Sequence, residues 1–138
     1  MIHRLFESIR NKDSKAVSEI LEAQPLLVNE KDLRGSTPLL LASYFGFAEI
    51  SEMILQYPQH IDAQDVTGNT ALMGVCFKGY EELAKLLIEN GANVNSRNFN
   101  GATALIFAAS FGRTAIATLL LECGADPSIK DDSGNMDT

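Results

Sequence analysis

The sequence predicts an all-α protein, an α-solenoid of stacked helix-turn-helix units joined by β-hairpin-like tips. Three observations carry this. Gly35, Gly68, Gly101 and Gly134 stand 33 residues apart. The text around them recurs as DLRGSTPLL, DVTGNTALM, NFNGATALI and DDSGNMDT. Farther along, the apolar pairs Met53–Ile54, Leu86–Leu87 and Leu119–Leu120 return at one offset. A fixed period of this size marks an architecture in which no unit buries its apolar face alone, so neighbours must stack.

Each element follows from local chemistry. The segments around Asp32–Ser36, Asp65–Asn69 and Asn98–Ala102 are rich in turn formers, with a glycine ready for a tight reversal. Thr37, Thr70 and Thr103 then offer a hydroxyl to cap a helix N-terminus, and Pro38 occupies a first helical position, where its missing N–H costs nothing. That short helix is expected to end at Gly46, Gly79 and Gly112. A second helix carries apolar residues at helical spacing, as at Leu83, Leu86 and Leu87. Gly91 and Gly124 stop it in the later units. Pro25 and Pro58 stand at that point in the earlier ones, and proline disfavours helix at the residue before it. Residues 1–34 form a degenerate first unit with Ile20–Leu21 in place of the apolar pair. The chain 1–138 thus divides, as one domain, into units 1–34, 35–67, 68–100 and 101–133, with 134–138 beginning an incomplete fifth.

This pattern resembles the ankyrin repeat, whose unit reads roughly GxTPLHxAxxxGxxExxxxLLxxGADxN. The likeness spans essentially the whole chain, including the endings NGANVN and CGADPS. Two departures stand out. Members of that family usually carry a histidine three residues after the capping threonine; here Leu40, Met73 and Ile106 stand there, which makes the junctions between units more apolar. Gly74 lies inside a short helix where the adjacent units have Leu41 and Phe107. A mid-helix glycine costs roughly 1 kcal/mol against alanine. Phe107 is expected to lean into the space that Gly74 vacates, so that Gly74→Leu would overpack by roughly 1–3 kcal/mol.

Composition narrows the function. The 138 residues are 46% hydrophobic and 21% charged, with a formal net charge of −7. That is the make-up of a soluble globular protein, and its acidity argues against a nucleic-acid partner, since phosphate backbones reward cations. The longest apolar runs fall short of the roughly 18–20 residues that span a bilayer, so no membrane partner is expected. The opening MIHRLFESIRNKD interleaves charges with apolar residues and is not a secretory signal. Cys76 and Cys123 have no CxxC spacing and read as two reduced core thiols of a cytoplasmic protein. His3 and His60 lie in different units without ligand-spaced neighbours, so no metal is expected. Cys76 has no evident base, no phosphate-binding glycine loop occurs, and Glu81–Glu82 and Asp131–Asp132 read as a solvated helix start and a tip. No catalytic residue and no cofactor are expected.

The resemblance implies instead a non-catalytic protein-binding module. Ankyrin stacks commonly bind partners through the tips and the exposed face of the short helices, which line a concave side. Carried onto this sequence, the tips supply Leu33, Arg34 and Ser36; Val66, Thr67 and Asn69; Phe99, Asn100 and Ala102. The late short helices supply Tyr44 and Phe45, Phe77 and Lys78, Ser110 and Phe111. Half of the Tyr and Phe residues fall in this set, and aromatic side chains dominate interface hot spots. The bland alternative is that some rings pack between adjacent short helices. Phe47 and Tyr80 read as packing or rim residues. Rival readings are an accessory or chaperone-like protein serving an enzyme or ligand transfer, and a structural fragment of a larger multidomain protein.

The two ends differ. Arg4, Glu7, Ser8, Arg10, Lys12, Asp13, Ser14, Lys15 and Glu19 give the front a polar outer surface. The unit 101–133 is as apolar as an internal one, and Met136 stands where a capping threonine is expected. An uncapped apolar face is therefore predicted, read as truncation or a natural short end of a monomer ahead of self-association through that face.

Overall fold

The computed structural model describes residues 2–134, so Met136 lies outside the described residues. Four helix-turn-helix pairs follow one another: α1 (Ile2–Arg10) with α2 (Ser14–Ala23), α3 (Pro38–Tyr44) with α4 (Ala48–Leu55), α5 (Ala71–Lys78) with α6 (Glu81–Glu89), and α7 (Ala104–Ser110) with α8 (Thr114–Glu122). Among the described residues there is no strand. The first helices α1, α3, α5 and α7 pack in an inner row, and α2, α4, α6 and α8 form an outer row behind them. Pro25 does more than stop α2: it opens a 3-10 helix, Pro25–Asn29, where its fixed φ suits a first position.

The threonine caps form as their spacing dictates. The hydroxyls of Thr37, Thr70 and Thr103 accept from the N–H groups of Leu40, Met73 and Ile106 at 3.2, 3.3 and 3.2 Å. Each cap satisfies one of the orphan donors that open a helix. The side chains of Leu40, Met73 and Ile106, at the positions where a histidine would be usual, are buried. Polar bonding between units is thus left to the tips and to the helix ends, as where the Ser14 hydroxyl of α2 donates to Glu49 of α4 at 3.0 Å.

The recurring apolar pair supplies the core between the rows. Ile54, Leu87 and Leu120 are fully buried at one register, and Ile20 and Leu21 do the same in the first unit. Gly79 shows why the inner helices end where they do. It is the C-cap of α5 at φ +83°, a backbone that L side chains rarely adopt. A Cβ there would lie 2.9 Å from the Arg113 side chain, which crosses Gly79 and donates to the Phe77 carbonyl at 3.0 Å. In the first unit Lys12 takes the corresponding left-handed turn at φ +56° without being glycine.

Three expectations need correction. The ring that approaches Gly74 is Tyr44, with Cδ1 3.5 Å from where a Cβ would stand, and Phe107 is not within 4 Å. Phe107 instead meets Phe77 edge-on, ring centroids 6.4 Å apart. The cause is stacking register: a late residue of one inner helix lies beside a middle residue of the next, so Tyr44 meets Gly74 as Phe77 meets Phe107. Cys123 is exposed at the end of α8 and is not a core thiol. At the front, Ser8 is buried, its hydroxyl donating to the Arg4 carbonyl at 2.7 Å.

The far end is less apolar than its text suggests. Ile116 and Leu120 are buried within their own pair of helices, while Ala109 and Leu121 are exposed. The exposed large apolar side chains of this unit are Phe111 and Leu121.

Candidate protein-interaction surface

The tips are built alike around one carboxyl or carboxamide oxygen. Asp32 Oδ1 accepts from the N–H groups of Arg34 and Ser36, both at 2.9 Å. Asp65 Oδ1 accepts from Thr67 and Asn69, and Asn98 Oδ1 from Asn100 and Ala102. Neighbouring tips are tied by single backbone bonds, Val66 N–H to the Arg34 carbonyl at 3.1 Å and Phe99 N–H to the Thr67 carbonyl at 3.2 Å. The tip residues therefore do two jobs. Val66 and Phe99 lie against the glycine of the preceding tip: a Cβ on Gly68 would stand 2.5 Å from Phe99 N and 2.7 Å from its ring.

A second row of braces runs beside the tips, and sequence reasoning missed it. Lys31 Nζ donates to the Gln64 carbonyl at 2.8 Å, Gln64 Nε2 to the Arg97 carbonyl at 3.0 Å, and an Arg97 guanidinium N–H to the Lys130 carbonyl at 2.7 Å. Each donor reaches the residue 33 positions on. The signal was present, since Lys31, Gln64 and Arg97 are long donors at one position of the repeat. Side chains that differ so much in charge do not read as a motif.

The ends of the inner helices form two ring clusters. In one, Tyr44 and Phe45 are 43% and 42% exposed; Phe45 lies 5.6 Å from Phe47, centroid to centroid, and Lys78 Nζ stands 5.0 Å from the Tyr44 centroid. In the other, Phe77 is wedged edge-on between Phe107 and Phe111, at 6.4 and 4.7 Å. Phe111 is exposed and Phe77 half-buried. Phe47 and Tyr80 are partly buried against the core.

Between the tips and the inner helices lies a groove of about 800 Å³. It gathers Arg34, Ser36, Tyr44, Phe45, Val66, Thr67 and Asn69 from the predicted set, and adds Arg10, Leu40, Leu41, Ala71 and Gly74. A neighbouring hollow of about 440 Å³ shares Arg10, Asp32 and Arg34 and adds Ile2, Phe6 and Leu33. Phe77, Lys78, Asn100, Ser110 and Phe111 line neither, and Phe99 borders a separate hollow of about 530 Å³ beside His60 and Gln64. The predicted stripe is therefore concentrated at its N-terminal half.

Charge is segregated between the rows. The outer helices carry eight glutamates against Lys15 and Lys85, a net of −6, whereas the inner helices carry Arg4, Arg10 and Lys78 against Glu7, a net of +2. Burial pushes the Cys76 thiol up to about 12, which leaves it protonated and inert near neutral pH. Asp126 is held below the usual carboxylate range by its hydrogen bonds from the Ser128 hydroxyl and N–H. Among the described residues there is no group of three or more His, Cys, Asp or Glu able to hold a metal ion. No helix among the described residues is long and apolar enough to cross a membrane.

Stacked helical pairs, glycine-closed tips and a groove between tips and inner helices define a solenoid repeat protein. The family is then set by comparison: a family model described as Ankyrin repeats (3 copies) matches residues 5–98 and 54–131. The chain belongs to the ankyrin-repeat family. Repeats of this kind are generally protein–protein interaction modules. No curated protein matches the chain.

Proposed function

We propose that this chain is a single, non-catalytic binding domain of four units that captures a protein partner in the groove between its tips and inner helices. The observation that carries the reading is the exposure of Tyr44 and Phe45 at the edge of that groove. A soluble protein gains nothing in its own core from half-exposed rings, whereas rings rich in contact area and poor in rotamers anchor interfaces. Val66 and Thr67 form the opposite wall. Phe77 and Phe111 serve first as packing between α5 and α7, so their part in binding is secondary. The acidic outer row disfavours nucleic acid, and free thiols, one of them exposed, fit a reducing cytoplasm.

The test is affinity capture from a lysate of the source organism, comparing wild type with a Tyr44→Ala, Phe45→Ala double variant. Circular dichroism and the urea midpoint establish that the variant is folded. The reading expects a partner retained by wild type and lost by the variant. Identical retention by both would remove the groove from the account.

A further inference from the structure

We infer that the groove accepts an acidic, extended peptide segment carrying one apolar anchor side chain. This rests on the reading of the groove as a protein-binding site and adds the chemistry of the partner.

Charge complementarity carries the inference. Of the chain's net charge of −7, the outer helices carry −6, the residues outside the helices −3 and the inner row +2, so the inner row is the positive part of an acidic chain. Of the two carboxylates within the groove, one is paired with a cation and the other, Asp65, is held by neutral donors alone and keeps its charge. Asp32 accepts two backbone N–H groups on Oδ1 and pairs with Arg10 through Oδ2 at 3.5 Å. Asp65 Oδ1 accepts from Asn69 N–H and from both the N–H and the hydroxyl of Thr67. The cations are differently placed. Among the described residues Arg34 is exposed and has no carboxylate within ion-pair distance, and Lys78 sits over the Tyr44 ring, also without one. An incoming carboxylate finds one unpaired cation, Arg34, in the wall of the groove and a second, Lys78, beyond the Tyr44 ring that edges its apolar floor.

That floor sets the second requirement. Leu40, Leu41 and Ala71 line it, and Gly74 contributes no side chain, so the space beside it is bounded by the Tyr44 ring. One aliphatic or aromatic side chain fits there. A long polyanion is disfavoured because it would also meet the glutamates of the outer row. A short segment confined to the groove does not, since at physiological ionic strength charges act over only about 8 Å.

The experiment is selection of random peptides displayed on phage against the immobilised full chain, followed by fluorescence anisotropy with the enriched peptides resynthesised. The expected outcome is enrichment of Asp- and Glu-rich sequences around a Leu, Phe or Met. Arg34→Glu with Lys78→Glu should weaken their binding by about 10-fold or more, and rising salt should weaken binding to wild type. Lys85→Glu, the same charge change on the outer row, should leave affinity unaltered. Gly74→Leu should abolish binding while the fold is retained. Enrichment of neutral or basic peptides that Gly74→Leu still abolishes would overturn the acidic class and leave the groove as the binding site. Acidic peptides indifferent to Arg34→Glu and Lys78→Glu, or no enrichment at all, would also overturn the inference; the lysate capture with Tyr44→Ala, Phe45→Ala tests the underlying reading separately.

Discussion

The α3/α5 and α5/α7 junctions are built on one register and end up with opposite surfaces. In each, a ring late in one inner helix meets two residues of the next. Tyr44 meets Gly74 and Lys78: its Cδ1 lies 3.5 Å from where a Cβ on the first would stand, and its ring centroid 5.0 Å from Nζ of the second. Phe77 meets Phe107 and Phe111, at 6.4 and 4.7 Å between centroids. Where the partners are glycine and lysine, the ring stays at a groove edge with a cation on its face. Where they are two phenylalanines, the ring is clamped and the groove closes. A solenoid can therefore keep its scaffold constant and open or shut its surface locally through the pair of residues that faces each ring.

The largest effect expected at these junctions is on the alkaline side of the pH range. Cys76, on α5, is fully buried, whereas Ala109, one repeat later, is exposed. The folded thiol ionises at about 12, raised by burial from 9.0. Between those values the native state keeps a proton that the unfolded chain has lost, so stability falls as pH rises and this group has no effect below the window. The slope approaches about 1.4 kcal/mol per pH unit. Cys76→Ala should remove that slope in urea titrations read against wild type. Under native conditions at neutral pH a thiol reagent should label Cys123 alone. Parallel pH curves for the two proteins would mean that Cys76 is not sealed between α5 and α7.

Next in size is the contrast between the rings themselves. Phe77→Ala should cost about 2–3 kcal/mol, the lower end for a phenylalanine because it is half-buried. Tyr44→Ala should cost within about 1 kcal/mol, since it gives up a cation–π contact and part of an exposed ring. Equal losses in urea midpoint would break the distinction between a closed and an open junction.

Behind the open junction lies a defect that the closed one lacks. Ser51 on α4 is fully buried and its hydroxyl has no hydrogen-bond partner among the described residues. Ala84 occupies the same register on α6. A buried hydroxyl without a partner forfeits its hydration, so Ser51→Ala should gain about 1 kcal/mol. An unchanged or lower midpoint would show that the hydroxyl is satisfied.

Much of this was legible in the text because it is local. Thr37, Thr70 and Thr103 lie three residues before the N–H groups they cap, and the turn glycines sit where only a left-handed residue closes the turn. What escaped depends on which residue of one unit faces which residue of the next. The repeat fixes that offset, but the sequence does not print it; hence Phe107 was matched to Gly74 when Tyr44 is its neighbour. Cys123 escaped because a thiol by itself reads as a core residue, whereas its register at the end of an outer helix is exposed in the preceding units as well, at Gln56 and Asn90. That Tyr44 and Phe45 line the groove while Phe77 does not escaped for the first reason, since Phe77 is equally aromatic and differs in what it meets.

Gly74 itself gives the smallest and sharpest test. It lies inside α5, where glycine is roughly 1 kcal/mol worse than alanine, and a Cβ there would touch only Tyr44 Cδ1 at 3.5 Å, an ordinary contact. Gly74→Ala should therefore stabilise by about 0.5–1 kcal/mol. The overpacking expected of Gly74→Leu loses its basis, because the neighbour is a half-exposed ring with room to turn and not a fixed core residue. A leucine there should fill the groove floor, much as Phe107 closes the next junction, at little cost in midpoint. If Gly74→Ala destabilises, the backbone of α3 and α5 must approach more closely than the Tyr44 contact implies, and the glycine would be a packing requirement of the stack and not the opening of its groove.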